Sequence, residues 1–240
     1  MITEEQKTEP VSQTGRGILL WAVQMIAALL IFGIVLFLLA GRLNWTAGWV
    51  YLGLNAVTQL LSALVLIPRQ AGMLAERSKV REGTKSWDRV LTPAITIGGT
   101  IAVLFTAGLD ARFGWSAPIN NFLWVASIAV AFASQMFVLW AMASNAFFAL
   151  TVRIQSDRNQ TVTQHGPYQI VRHPGYAGSL IYNLMMPLLF GSWWTYIPAV
   201  LTCVLLFIRT GLEDRTLQAE LPGYQAYAAR VHYRLIPGIW

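Results

Sequence analysis

Charge is what this sequence has least of. Asp, Glu, Lys and Arg make up 12% of its 240 residues, about half the roughly 25% of a soluble domain. Apolar residues reach 55% and mean hydropathy is +0.51. That composition excludes a disordered or collagen-like chain, and the apolar residues gather in runs that suit a bilayer better than one globular core. No acidic residue falls inside an apolar run, which weighs against ion pumps and proton-coupled transporters, since these keep an ionisable group at membrane depth. The single cysteine, Cys203, lies within a run, packed or lipid-facing, and excludes an internal disulfide or a cysteine metal site. No G-x-G-x-x-G follows a strand, and there is no P-loop and no H-E-x-x-H, so a nucleotide-like cofactor must be held in another way. No pair of matching broken helices suggests a transporter repeat. The formal charge of +6 comes from basic residues scattered between apolar runs instead of a stripe with interleaved aromatics, which speaks against nucleic acid.

What is present reads as an all-α integral membrane protein. Residues 1–16 are polar and read as a short disordered tail. Apolar spans are expected at 17–40, 47–67, 90–109 and 122–150, each long enough at about 1.5 Å per residue to approach or cross a core of about 30 Å. The first lacks a basic start and is too long for a signal-peptide core, so cleavage is not expected. Residues 68–89 read as a solvated or interfacial loop, with a short amphipathic helix at 71–80. Two shorter runs at 177–190 and 193–208 read as a helical hairpin, giving five to six membrane segments in all. The chain divides into N-terminal membrane helices, 1–150, and a catalytic loop, hairpin and tail, 151–240. Trp21, Trp45, Trp49, Trp115, Trp193 and Trp194 fall at run ends, where amphipathic rings settle at headgroup depth.

Placing the N-terminus inside puts Lys7, Arg16, the six basic residues of 69–89, Arg153, Arg158, Arg172 and the four of the tail on one face. Only Arg42 and Arg112 fall on the other, so both termini are expected in the cytoplasm. Whether the hairpin spans or re-enters, it returns the chain to the face it left. Segments 151–176 and 209–240 are therefore neighbours at one membrane surface.

Those two segments hold a dense polar constellation: Gln160-Thr161-Val162-Thr163, Gly166-Pro167-Tyr168, Arg172-His173-Pro174-Gly175-Tyr176 with Gly178, and then Arg209, Glu213 and Asp214. Proline fixes φ and biases the residue before it towards an extended form, so the loop can present backbone groups in one rigid arrangement. A turn that merely joins two helices is the plainer account, as is a surface i,i+4 ion pair for Arg209 and Glu213.

GPYQIVRHPGYAG, an apolar hairpin, and RTGLEDRTLQAELPGYQAYAARVHYRLIP, taken in that order, resemble the isoprenylcysteine carboxyl methyltransferase family and its phospholipid N-methyltransferase relatives, over about residues 151–240. The resemblance implies an integral membrane enzyme that uses S-adenosylmethionine without a Rossmann domain. It implies that Gln160, Thr161, Val162, Thr163, Tyr168, His173, Pro174, Gly175 and Tyr176 enclose the cofactor, that Glu213 binds it, and that Arg209 faces the substrate; Arg172 and Asp214 join Arg209 as candidate catalytic residues. Gln160 stands where many members have His, and Asp214 where many have a second Glu.

The chemistry of these residue types agrees with such roles. A carboxylate such as Glu213 pairs with an ammonium, and a tyrosine face suits a sulfonium. A carboxylate acceptor is already ionised at neutral pH and needs a cation to place it, for which the Arg209 fork is suited, whereas an amine acceptor needs a base. The expected acceptor is a lipophilic or lipidated molecule bearing a carboxylate, which enters laterally from the bilayer, and membrane lipids are the expected surroundings. Two other readings stay open: a phospholipid amine N-methyltransferase, and a sterol-reductase-like enzyme holding NADPH through Arg153, Arg158 and Arg172. A non-enzymatic membrane scaffold is the plainest of all.

Overall fold

The computed structural model describes residues 11–77 and 82–240, and among these it is all-helical, with no strand. Helix α1 spans Val11–Ala40, α2 Thr46–Arg77, α3 Asp88–Pro93, α4 Thr100–Phe113, α5 Asn121–Ser144, α6 Pro174–Phe190, α7 Tyr196–Glu220 and α8 Tyr224–Ala228. Among the described residues five stretches are long and apolar enough to cross a membrane: Gly15–Ala40, Thr46–Leu74, Asp88–Phe113, Asn121–Ser144 and Tyr196–Glu220. Leu19, Leu38, Leu64, Phe122 and Ile197 stand more than half exposed, as side chains facing lipid do, because apolar surface there meets a solvent as apolar as itself.

Several boundaries differ from the sequence expectation. The tail was expected to reach residue 16, but helix begins at Val11; residues 1–10 lie outside the described residues. Helix α2 continues through Pro68 and past the end of its apolar stretch to Arg77, bending at Gln70 (φ −139°, ψ 37°). Pro68 withdraws one N–H from the helix ladder, and a sharp bend follows close behind. The amphipathic helix expected at 71–80 is thus the end of α2, and 78–81 lie outside the described residues. Pro93 similarly precedes a π-helical stretch, Ala94–Gly99, that joins α3 to α4. The fourth span ends at Ser144, and α7 runs 25 residues to Glu220, past the expected end at 208.

The hairpin of α6 and α7 traverses the bundle from end to end. At its far turn the Trp193 N–H bonds Ser116 Oγ at 2.9 Å, in the α4–α5 connection, and Trp124 Nε1 bonds the Leu189 carbonyl at 2.9 Å. Close approach of α5 and α6 depends on Gly178, where an added Cβ would sit 2.8 Å from the Ser134 carbonyl and 2.6 Å from Val138 Cγ2. One buried cluster joins Leu36, Tyr51, Leu104, Ala131, Leu189 and Ala199, so the packing does not divide at residue 150. Trp21 and Trp45 belong to this interior and not to the interface: Trp45 lies against Phe37 and Phe190, and Trp21 in a second cluster with Leu66. Trp49, Trp115, Trp193 and Trp194 are exposed at the helix ends.

Candidate active site

At one end of the bundle, the α5–α6 loop, the C-terminal half of α7 and the chain after it close around a cavity of about 390 Å³. The loop is held by side chains, since it forms little regular structure. Gln160 Oε1 accepts the Gln155 N–H at 2.7 Å, Thr163 Oγ1 donates to Asn145 Oδ1 at 3.1 Å, and Asn145 Nδ2 donates to the Tyr168 hydroxyl at 3.0 Å. The Tyr227 hydroxyl donates to the Tyr168 carbonyl at 2.7 Å. Burial pushes the Tyr168 phenol well above its ordinary range, so it stays protonated. His173 ends the loop, Pro174 occupies the first turn of α6 where its missing N–H costs nothing, and Gly175 admits the Phe148 ring, which an added Cβ would meet at 2.6 Å.

Asp214, wholly buried on α7, gathers this end of the molecule. It accepts from Arg172 Nε (2.8 Å) and Nη2 (2.9 Å), Arg234 Nε (2.8 Å), the Tyr224 hydroxyl (2.9 Å) and Gln218 Nε2 (2.8 Å), with His173 Nε2 at 3.2 Å. Arg172 Nη1 reaches the Val231 and His232 carbonyls, both at 2.8 Å. A carboxylate so fully engaged has no lone pair left for a ligand, and Asp214 does not line the cavity. Its neighbour Glu213 does: it accepts one bond, from the Tyr176 hydroxyl at 2.5 Å. Every other cofactor residue expected from sequence lines the cavity except Pro174, and of the candidate catalytic residues Arg209 and Arg172 line it.

Residues 126–219 match the isoprenylcysteine carboxyl methyltransferase (ICMT) family. The ICMT segment takes in most of α5, the loop, α6 and α7 as far as Ala219, and with them Glu213, Asp214 and Arg209. The chain is also similar to the uncharacterized protein YpbQ of Bacillus subtilis (strain 168), 28% identical over 164 residues, which cover 66% of this chain and 95% of that protein. The ICMT match supports a membrane methyltransferase, and the five apolar helices fit a multi-pass membrane protein.

Three residues before the ICMT segment complete the site, and none was singled out from the sequence. Asp88, read there as a loop charge, is fully buried: it binds Arg209 Nε at 2.7 Å and Nη2 at 3.2 Å and accepts the Val152 N–H at 2.6 Å. Two nitrogens of the Arg209 fork are thereby occupied, Nη2 also reaching the Leu150 carbonyl at 2.8 Å, and the guanidinium lies 5.1 Å over the Tyr176 ring. Glu76 binds Arg153 at 2.6 Å. Arg77 lines the cavity itself, donating to the Ala149 carbonyl at 3.3 Å and lying 5.1 Å over the Phe148 ring. Burial, then the nearby Arg209 guanidinium, pulls the pKa of Arg77 down to about 10. Asn145, between Thr163 and Tyr168, was likewise hidden in the expected apolar run 122–150.

Proposed function

We propose that the chain is an S-adenosylmethionine-dependent membrane methyltransferase whose acceptor is a lipophilic molecule bearing a carboxylate. The observation that carries the reading is Glu213, the one carboxylate on the wall of a cavity that also holds Gln160 to Thr163, Tyr168, His173 and Tyr176. At about 390 Å³ the cavity falls within the roughly 300–1,000 Å³ of small-molecule sites. Glu213 would take the cofactor's ammonium, the restricted backbone of 160–163 its polar edges, and the Tyr176 face its sulfonium. When bound, the cofactor supplies an electrophilic methyl group, which passes to an acceptor lone pair while the sulfur keeps the electron pair of the breaking bond.

The chain's own task is to align the acceptor and exclude water. Arg209 keeps Nη1 for the acceptor, while Asp88 fixes the rest of the fork, so the guanidinium is pre-aimed. The membrane end of the cavity is lined by Ile95, Thr96 and Thr100, and Thr100, Tyr182 and Asn183 also line a second cavity of about 140 Å³ between the helices. A tail arriving from the bilayer has space there, with the polar end towards the cytoplasmic surface, where we place both termini. The reductase reading would need Arg153, Arg158 and Arg172 for a phosphate, but Glu76 and Asp157 engage the first, Gln155 and the Ala146 carbonyl hold the second away from the cavity wall, and Asp214 engages the third. Transfer of labelled methyl from S-adenosylmethionine in membranes containing the protein tests the proposal. A base-labile ester product is expected; label in a lipid amine would move the acceptor to phospholipid, and no transfer would overturn the proposal.

A further inference from the structure

Among the described residues the cavity wall carries four guanidinium groups, those of Arg77, Arg153, Arg172 and Arg209. Three are answered by carboxylates: Arg153 by Glu76 and Asp157, Arg172 by Asp214, Arg209 by Asp88. Arg77 meets only the Ala149 carbonyl and the Phe148 ring, and among the described residues it has no acidic partner. The one carboxylate on the wall, Glu213, meets only the Tyr176 hydroxyl. The two are not paired with each other, yet both line the one cavity, together with Tyr168 and Tyr176. Both side chains are only partly exposed, and two opposite charges left apart on one cavity wall are each open to a ligand that brings the complementary charge.

We infer that Arg77 and Glu213 form a clamp for an α-amino acid group, Arg77 taking the carboxylate and Glu213 the ammonium of the cofactor's methionine moiety. This rests on the methyltransferase reading above, and it adds a binding residue that lies outside residues 126–219. The placement of Arg77 favours the cofactor over the acceptor. It stands against Phe148 and Ala149 in the loop that also carries Gln160 to Thr163, not among Ile95, Thr96 and Thr100 at the membrane end. A planar guanidinium with free N–H groups grips a carboxylate through two parallel bonds, and the α-carbon keeps that carboxylate a fixed short distance from the ammonium. Any ligand lacking either charge leaves one wall charge unanswered.

Calorimetric titration of the full-length protein in detergent provides the test, with two probes: S-adenosylhomocysteine and its decarboxylated counterpart, S-adenosyl-3-thiopropylamine. A charge-assisted contact contributes about tenfold or more in affinity. The wild-type protein is expected to bind the first probe about tenfold or more tightly than the second. Arg77→Met should lose that preference by weakening the first probe alone, and Arg77→Lys should recover part of it. Retained binding of the decarboxylated probe by Arg77→Met shows that the variant is folded. Equal affinity of the wild type for both probes overturns the clamp without recourse to any variant. Arg77→Met that weakens both probes equally, or neither, also overturns it, and in these cases the methyltransferase reading stands. Failure of the wild type to bind S-adenosylhomocysteine at all would overturn both.

Discussion

Glu213 and Asp214 are adjacent on α7 and chemically almost the same, yet they serve opposite ends. Successive helical residues point about 100° apart, so one carboxylate turns into the cavity and the other into the packing between α7, the loop and the tail. Asp214 is met by three side chains that carry or can carry positive charge and by two neutral donors; Glu213 is met by a single hydroxyl. A fully answered carboxylate builds, and a nearly unanswered one is left open to a ligand. The same division separates the arginines: Arg172 ties loop, helix and tail together, while Arg77 faces the cavity with its charge unmet.

Substitutions can break or sharpen that contrast. Asp214→Asn should have the largest effect, because it leaves Arg172 buried beside a neutral amide; breaking such a pair costs roughly 3–5 kcal/mol, read as a fall of many degrees in the midpoint of thermal denaturation in detergent. Glu213→Ala should leave that midpoint within a few degrees and instead weaken cofactor binding by roughly thirtyfold or more. If the two variants had the same signature, the division between a building and a binding carboxylate would fail. Tyr176→Phe removes the one hydroxyl that holds Glu213, and a hydrogen bond to a charged group is worth about 1.5–3 kcal/mol. Cofactor affinity should drop about tenfold, with the midpoint little changed. Glu220→Gln, which breaks the exposed pair with Lys85, should shift the midpoint by no more than about 1 kcal/mol equivalent, the ordinary worth of a surface pair.

The membrane architecture was legible because apolar runs report lipid directly. The ends of helices were less so: Pro68 reads as a stop, but α2 bends and goes on, and polar residues after Ile208 hide the further turns of α7. Trp21 and Trp45 sit at run ends and yet pack inward, because ring size suits a core as well as an interface. Within the site, the clustered Gly, Pro, His and Tyr of 160–176 stood out by composition. Asp88 did not, since its partner Arg209 lies 121 positions away, and nothing local distinguishes a buried aspartate from one in a loop. The resemblance assigns Glu213 to the cofactor and makes Asp214 a catalytic candidate, but that Asp214 points away from the cavity depends on which way α7 is turned, which no local pattern reports. Arg77 was hidden for a simpler reason: it sits in a stretch whose charges read as solvated.

The bend at Gln70 gives this arrangement a mechanical side. Beyond it the last seven residues of α2 form an arm about 10 Å long at about 1.5 Å per residue, steadied where Gln70 Nε2 bonds the Ala143 carbonyl at 3.0 Å, and ending in Glu76 and Arg77. A change of about 20° at that bend, the size of a sharp kink, would carry the end of the arm some 3–4 Å, roughly the length of a hydrogen bond. The place of Arg77 on the cavity wall therefore depends on the angle of a bend in a neighbouring membrane helix, and the proline just before that bend helps to shape a site it does not line.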